Sequence, residues 1–365
     1  MEVRMVNEAR LLDTFLALVR IDSPSGEEAA VARELQSRLR QLGLAVERDS
    51  LDNLVARLPG KGQAVMLAAH MDTVMPGRGI QPVVRDGVVY TDGSTILGAD
   101  DKAGVAVILE VLQTVVEKSL PHPPLEVVIT VQEESGLVGA KGLDTSRLTA
   151  RMGVSLDAGG LPGTITVSAP SHDFVSATVH GKAAHAGTQP ETGINAIAVA
   201  AQAIVDMPLG RIDEETTANI GTIQGGTARN IVPDRVELVG EARSRNKAKL
   251  EAQTAKMVHA LETAAQSHGA RVDVQVTRCY ESYVFSEAEE VVGRLMAACR
   301  AQGVQPHLVP TGGGSDANIF NAQGKQVVNL SAGMSGEHST DEHIAIADMV
   351  TCAQIVLQFV ADVNT

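Results

Sequence analysis

"LEVVITVQEESG", residues 125–136, carries an apolar, β-branched stretch into two adjacent carboxylates, Glu133 and Glu134. The stretch reads as a buried strand. Its ending is the puzzle. Adjacent anions repel, and burying even one unpaired carboxylate costs several kcal/mol. Either the pair lies on a solvated loop, or a positive charge waits for it. Which holds depends on what the other strands of the chain end in.

Three more strand-like runs end in the same way. "AVMLAAH" (64–70) finishes at His70, with Asp72 two residues on. "MGVSLD" (152–157) finishes at Asp157. "STILGADDKAG" (94–104) sets Asp100 and Asp101 just ahead of a helical run at 102–117. Further helical patterns lie at 5–20 and at 26–43, the latter with Ser25 as N-cap and Gly43 as its stop. Residues 53–58 read as a strand, and 83–90 as a hairpin with Asp-Gly at its tip. Apolar strands alternating with helices predict an α/β domain with a mostly parallel central sheet. Such sheets bind ligands outside the carboxyl ends of their strands, so these terminal acids would converge.

The pattern changes after Gly163. A strand (174–181), a helix (193–207), two strands (218–226, 235–244), a long helix (247–269) and a strand (271–277) follow. That β-α-β-β-α-β order predicts an inserted ferredoxin-like α+β unit. The first fold resumes with a helix near 287–302, the strand 325–330 and a last helix near 344–362. The expected division is 1–164 and 279–365 for the outer domain and 165–278 for the insert, with linkers near 163 and 278.

Composition narrows the function. The 365 residues are 44% hydrophobic and 2% aromatic, without Trp, so the core is aliphatic. A formal charge of −14 argues against nucleic acid or an anionic membrane as partner. Three dispersed cysteines build neither a disulfide framework nor a Cys metal site. The start, "MEVRMVNEAR", has no apolar signal core, and "INAIAVAAQAIV" (194–205) is too short to span a bilayer. The expectation is a soluble, cytoplasmic protein.

A His and several carboxylates in one crevice need cations, and a pair of divalent metals meets that need. In extended chain, residues two apart point the same way, so His70 and Asp72 face one site. An Asp there can take the ring's other N–H. Of Glu133 and Glu134, one can ligate while the other faces substrate as a base. A second histidine is offered by His338 or His343 in "GMSGEHSTDEHI" (333–344). Each piece has a plainer reading. His-x-Asp is common by chance, an Asp-Asp pair ahead of a helix usually caps it, and "GGGSD" (312–316), lacking the Lys of a phosphate loop, is a turn. It is their order, each at a strand end, that points to a metal site.

The segments "AAHMDTV", "GADDKAG", "EESG", "SLDAGG", "GKAAHAGTQPETGINA", "ARNIVPD", "GGGSDAN" and "EHSTDEHI" resemble, in sequence and over essentially the whole chain, the two-zinc metallopeptidases that include peptidase T, the aminoacylases and the glutamate carboxypeptidases. "LGADDKAG" and "EESGLVGAKGLD" resemble the peptidase T-like, tripeptide aminopeptidase branch most. The resemblance implies a zinc-peptidase catalytic domain with an inserted lid that also forms a homodimer interface. It implies two Zn2+ per subunit, with Co2+ or Mn2+ as substitutes. His70 and Asp157 would bind one ion, Glu134 and His338 the other, and Asp100 both. Asp72 would orient His70, Glu133 would be the general base, Asp101 a helix cap, and His343 no ligand. His185 would stabilise the oxyanion, Asn230 and Arg243 would hold the substrate carboxylate, and the loop at Gly313 would lie along the substrate backbone. The implied substrate is a short peptide. Hydrolysis of N-acyl amino acids, carboxypeptidase action, and a catalytically silent peptide-binding role are the competing readings; the intact Glu133 speaks against the last.

Overall fold

Strands that are apolar on both faces must be covered on both sides, and three such strands form the middle of the larger sheet. Val65–His70, Leu125–Thr130 and Met152–Ser155 are buried along their whole length. In the computed structural model, which describes residues 6–361, Leu125–Thr130, Val65–His70, Met152–Ser155 and Gln326–Leu330 lie side by side in that order, all parallel. Antiparallel strands flank them: Leu54–Leu58 and then Ala45–Arg48 on one side, and the strand entering at Thr164 on the other. The helix Ala99–Glu117 packs on Val65–His70 and against helices Glu8–Val19 and Ile346–Ala361. It is buried nearly all round, through residues such as Ala103, Val107 and Val111. Its one mid-helix acid facing inward, Glu110, is met by Arg10 Nε at 2.6 Å, so the burial leaves no unpaired charge.

The chain divides into two compact units. One holds the chain up to Val167, Phe285–Pro310 and the chain from Ser315; the other holds Ser168–Val284 and Thr311–Gly314. In the second unit, strand burial alternates, as in Ser171–His180, so one face is apolar and the other open. Its strands run in the order Thr216–Gly225, Arg235–Ser244, Ser171–His180, Arg271–Tyr280, all antiparallel, with a two-residue edge piece at Gly210–Arg211. That is the ferredoxin-like order. Helices Ala196–Asp206 and Lys247–Ser267 cover the apolar face, with Val175, Val179, Val199, Met257 and Leu261 between them. Asn195 and Asn246 cap the two helices through their side chains.

The mostly parallel α/β sheet and the separate antiparallel unit are as the residue pattern predicts. The hairpin forms at 83–90, with Asp86 and Gly87 both at positive φ at its tip. Gly43, at φ +85°, ends the second helix. Ser25 is a correction. Helix Ala29–Gln41 starts later, without a side-chain cap, and Ser25 Oγ instead donates to Asp72 Oδ2 at 2.6 Å. A bridge between Pro24 and Thr73 holds residue 25 beside that buried carboxylate, where an unmet acceptor would cost more than an uncapped helix end. The first unit also contains elements that the residue pattern does not predict, among them strands Ala45–Arg48, Thr164–Ala169 and His307–Pro310 and helix Asp316–Ala322, whose capping box pairs Ser315 with Asn318. Among the described residues, no helix is long and apolar enough to cross a membrane.

Gly153 faces Met66 across the parallel pair, and a Cβ there would come within 2.7 Å of Met66 Cβ. Gly153→Val is expected to lower stability by about 1–3 kcal/mol through overpacking, read as a lower urea midpoint.

Candidate metal centre

The parallel strands deliver their ends to one edge of the sheet. His70 is the last residue of its strand, Glu133 and Glu134 follow Thr130 of the next, and Asp157 follows Ser155 of the third. Asp100 lies at the start of the buried helix. It has φ −80° and ψ 105°, off the helical path, and its peptide bond to Asp101 is cis. Asp101, one residue on, caps that helix by accepting from Gly104 N at 3.2 Å, and also accepts from His70 N at 3.3 Å.

These side chains meet. His70 Nε2 lies 3.0 Å from Asp100 Oδ1 and 3.9 Å from Asp157 Oδ1. His338 Nε2 lies 3.2 Å from Asp100 Oδ2 and 2.9 Å from Glu134 Oε1. One donor atom each from His70, Asp100 and Glu134 falls within 4.8 Å of the others. Asp100 thus turns one oxygen to each imidazole, as a carboxylate shared by two cations must. His338 holds φ +62°, a left-handed conformation that costs about 1–3 kcal/mol in a non-glycine residue, and it carries the ring to this cluster. The donors are imidazole and carboxylate with no thiolate, a set that suits zinc, cobalt or manganese.

Behind the cluster stands Asp72. His70 Nδ1 is 3.1 Å from the Asp72 backbone oxygen and 3.3 Å from its Oδ1. The same carboxylate accepts from Glu133 N (2.9 Å), Glu134 N (3.2 Å) and Ser25. One buried side chain therefore fixes the His70 ring and the backbone of both glutamates. Three residues that the sequence reading left out complete the support. Glu342, beside His343, accepts from Leu97 N and Gly98 N (both 2.7 Å) and Asp100 N (2.9 Å). The fully buried Lys102 donates to Ile21 O at 2.7 Å. Asp316 accepts from Thr130, while its Oδ1 has no partner. The "DE" of "HSTDEHI" is the available signal for Glu342; Lys102 and Asp316 lie within "GADDKAG" and "GGGSDAN", but only packing brings their side chains here. His343 stacks on Tyr90 at 5.3 Å.

Electrostatics show how much positive charge the cluster asks for. Burial pushes the carboxyls of Glu133 and Asp157 well above the usual range, and neighbouring carboxylates push further. Burial opposes charge on His70, yet Asp100 and Asp72 still hold its ring well above an ordinary histidine. Contact with Asp100 and Glu134 lifts His338 to about 10. Asp100 itself is held low by the two rings despite its burial. Raised imidazoles beside raised carboxyls mark a cluster short of positive charge, which divalent cations can supply with release of protons from the ligands.

The remaining predicted site residues lie in the second unit. His185 Nδ1 accepts from Gly187 N and Thr188 N, both at 3.1 Å, which leaves Nε2 to donate. Asn230 is beside it, its carbonyl accepting from Ala186 N at 3.0 Å. Arg243 lies on strand Arg235–Ser244, opposite His172. His172 packs on Tyr280, and Gly314, next to Gly313, is so close to Tyr280 that a Cβ there would overlap its ring. The structure thus groups His185 with Asn230, and Arg243 with the Gly313 loop.

Glu342 braces the backbone of Asp100 without touching a donor atom of the cluster. Glu342→Gln is expected to weaken divalent-metal binding about 10–100-fold, measured by chelator competition, with the far-ultraviolet circular dichroism unchanged.

The profile of Peptidase family M20/M25/M40 matches residues 66–362. Protein YqjE of Bacillus subtilis (strain 168) is 45% identical over 98% of this chain and 99% of its own length. The crystal structure of aminopeptidase PepT from Bacillus cereus ATCC 10987 is similar with a TM-score of 0.91 and 44% identity, covering 98% of this chain and 99% of that one. A tripeptidase structure from Staphylococcus aureus subsp. aureus Mu50 is similar with a TM-score of 0.94 and 41% identity, over the same shares. A chain that matches its relatives from end to end at this level, and carries the profile over most of its length, belongs to peptidase family M20/M25/M40 and is a metallopeptidase.

Proposed function

We propose that this protein is an aminopeptidase that removes the N-terminal residue of short peptides, tripeptides foremost, with two Zn2+ ions per subunit. The observation that carries the reading is the Asp100 carboxylate set between two imidazoles, with Asp157 and Glu134 beside them and Glu133 buried alongside. The aminopeptidase and tripeptidase named above support the choice of substrate through their likeness over nearly the whole chain.

In this reading His70 and Asp157 hold one ion, Glu134 and His338 the other, and Asp100 both. Bound there, the ions supply Lewis acidity toward the scissile carbonyl and a water acidified toward neutral pH. Asp72 keeps the His70 ring aimed by engaging Nδ1, and its grip on the amides of residues 133 and 134 sets where the Glu133 carboxylate stands. Glu133 takes the proton of the attacking water and returns it to the leaving amine. His185, whose Nδ1 is already accepting, offers Nε2–H to the oxygen on which charge develops. Arg243 and Asn230 take the substrate's terminal carboxylate, and the loop at Gly313 lies along its backbone.

We also infer a homodimer formed through the second unit, acting as the lid. Helix Ala196–Asp206 exposes Ile197 (42%) and Val205 (78%), and strand Thr216–Gly225 exposes Ile223 (48%). Among the described residues, only Gly210–Arg211 pairs along that strand's outer edge. Free thiols at Cys279, Cys299 and Cys352 suit a reducing, cytoplasmic setting.

Loaded with zinc, cobalt or manganese and offered tripeptides, dipeptides and N-acetyl amino acids, the protein is expected to release N-terminal residues from tripeptides. Turnover of acyl amino acids alone would overturn the peptide reading. Metal-loaded protein that hydrolyses nothing would make it a binding protein. Glu133→Gln should lower kcat by at least about 10²-fold with metal content unchanged by elemental analysis. Chelation should abolish activity and lower the melting temperature, since the ions bind only the folded chain, and added zinc should restore both.

A further inference from the structure

The open face of the second unit's sheet carries a charge cluster at one end. Register places Thr217, Arg243, His172 and Tyr280 in one row across four strands. Asn219, Glu241, Phe174 and Thr277 form the next row. The helices cover the other face, with Ala242, Val175 and Leu238 turned toward them. Nothing in the helical layer therefore needs Arg243, His172 or Glu241 for its packing.

A guanidinium and an imidazole converge on one oxygen here. Glu241 Oε2 lies 3.0 Å from Arg243 Nη2 and 3.2 Å from His172 Nε2. The fit is poor. Arg243 Nε and His172 Nε2 are both shielded from solvent, and neither has an aligned hydrogen bond. A shielded donor without an acceptor costs about 1–3 kcal/mol, so folded proteins rarely leave two of them together. Glu241, two residues from Arg243 on the same strand, bonds Arg243 Nη2 and leaves Arg243 Nε and His172 Nε2 without an aligned partner. A carboxylate that is not part of that strand is free to approach both. Phe174, 38% exposed in the next row, gives such a ligand an apolar flank, and Tyr280 closes the far side of His172. The Glu241 carboxyl is held down to about 2, chiefly by His172 and then, against the cost of burial, by Arg243, so it stays anionic and in place until displaced.

We propose that Glu241 is an internal stand-in for the substrate's terminal carboxylate, which displaces it from Arg243 and His172 on binding. His172 is then a second carboxylate-binding residue, and Glu241 tunes specificity by competing with weakly bound acids. The inference rests on the reading that Arg243 holds that carboxylate. It adds the direction in which removing an acid next to the site should act. A support for Arg243 would weaken binding when lost, whereas a competitor strengthens it.

The experiment compares a tripeptide with a free C-terminal carboxylate and the same tripeptide as its C-terminal amide, on zinc-loaded full-length protein. Glu241→Gln and Glu241→Ala should each lower KM for the acid about two- to fivefold, the range of a partly exposed ion pair. Neither should change kcat or the KM of the amide. His172→Asn and Arg243→Gln should raise KM for the acid alone. If both Glu241 variants raise or leave KM for the acid while Arg243→Gln still separates acid from amide, the stand-in is wrong and the Arg243 reading survives. If Arg243→Gln no longer separates them, both fall. Calorimetric binding of the two peptides in a Glu133→Gln background reads the same differences without turnover. Unchanged melting temperatures for the Glu241 variants, whose side chain is 36% exposed, show that the fold is intact.

Discussion

Carboxylates at the carboxyl edge of a parallel sheet repel one another, and that repulsion is the constraint around which the first unit is arranged. Asp100, Glu133, Glu134 and Asp157 come from three separate segments, each at or just beyond one terminus of a buried element. The apolar strands that carry them have no other way to lie, since both their faces must be covered. The fold therefore concentrates negative charge where it can least be solvated. It answers with imidazoles at His70 and His338 and with the buried Lys102, whose ammonium burial lowers to about 8. These are partial answers, and divalent ions complete them.

What makes the cluster a site rather than a flaw is the rigidity behind it. Asp72 joins the His70 ring to the amides of Glu133 and Glu134, and Ser25 joins Asp72 to the segment before the second helix. Glu342 collects three amides at the turn leading to Asp100. Each contact uses a buried acceptor whose loss would leave donors unmet, so it holds geometry as well as adding stability. The second unit works by another logic. Its sheet has one dry face and one open face, and Arg243, His172 and Glu241 stand together on the open one.

The two arrangements suit two different tasks. Metal donors must be held within tenths of an ångström, and buried strand ends with hydrogen-bonded partners behind them do that. Residues that receive a variable peptide do better on a solvated surface, where an ion pair is weak enough to be replaced. The pairs Arg243–Glu241 and His70–Asp100 have similar separations, but the His70 side chain is buried whereas that of Glu241 is partly exposed, so salt and water screen the first pair more than the second.

The sequence by itself determined the α/β sheet, the antiparallel insert and the residues that end the strands, because apolar run length and alternation are local properties that any stable fold of this chain must satisfy. It also named His70, Asp100, Glu134, Asp157 and His338 as one set, since their segments resemble a known order. Tertiary structure alone decided that Ser25 serves Asp72 rather than a helix, that Glu342 braces Asp100, and that Asp316 and Lys102 lie beneath the site. It alone set Glu241 between Arg243 and His172. Those pairings depend on register between strands and on packing between segments up to 245 residues apart. No local pattern encodes them, because the energy of each contact exists only once the rest of the chain has brought its partners together.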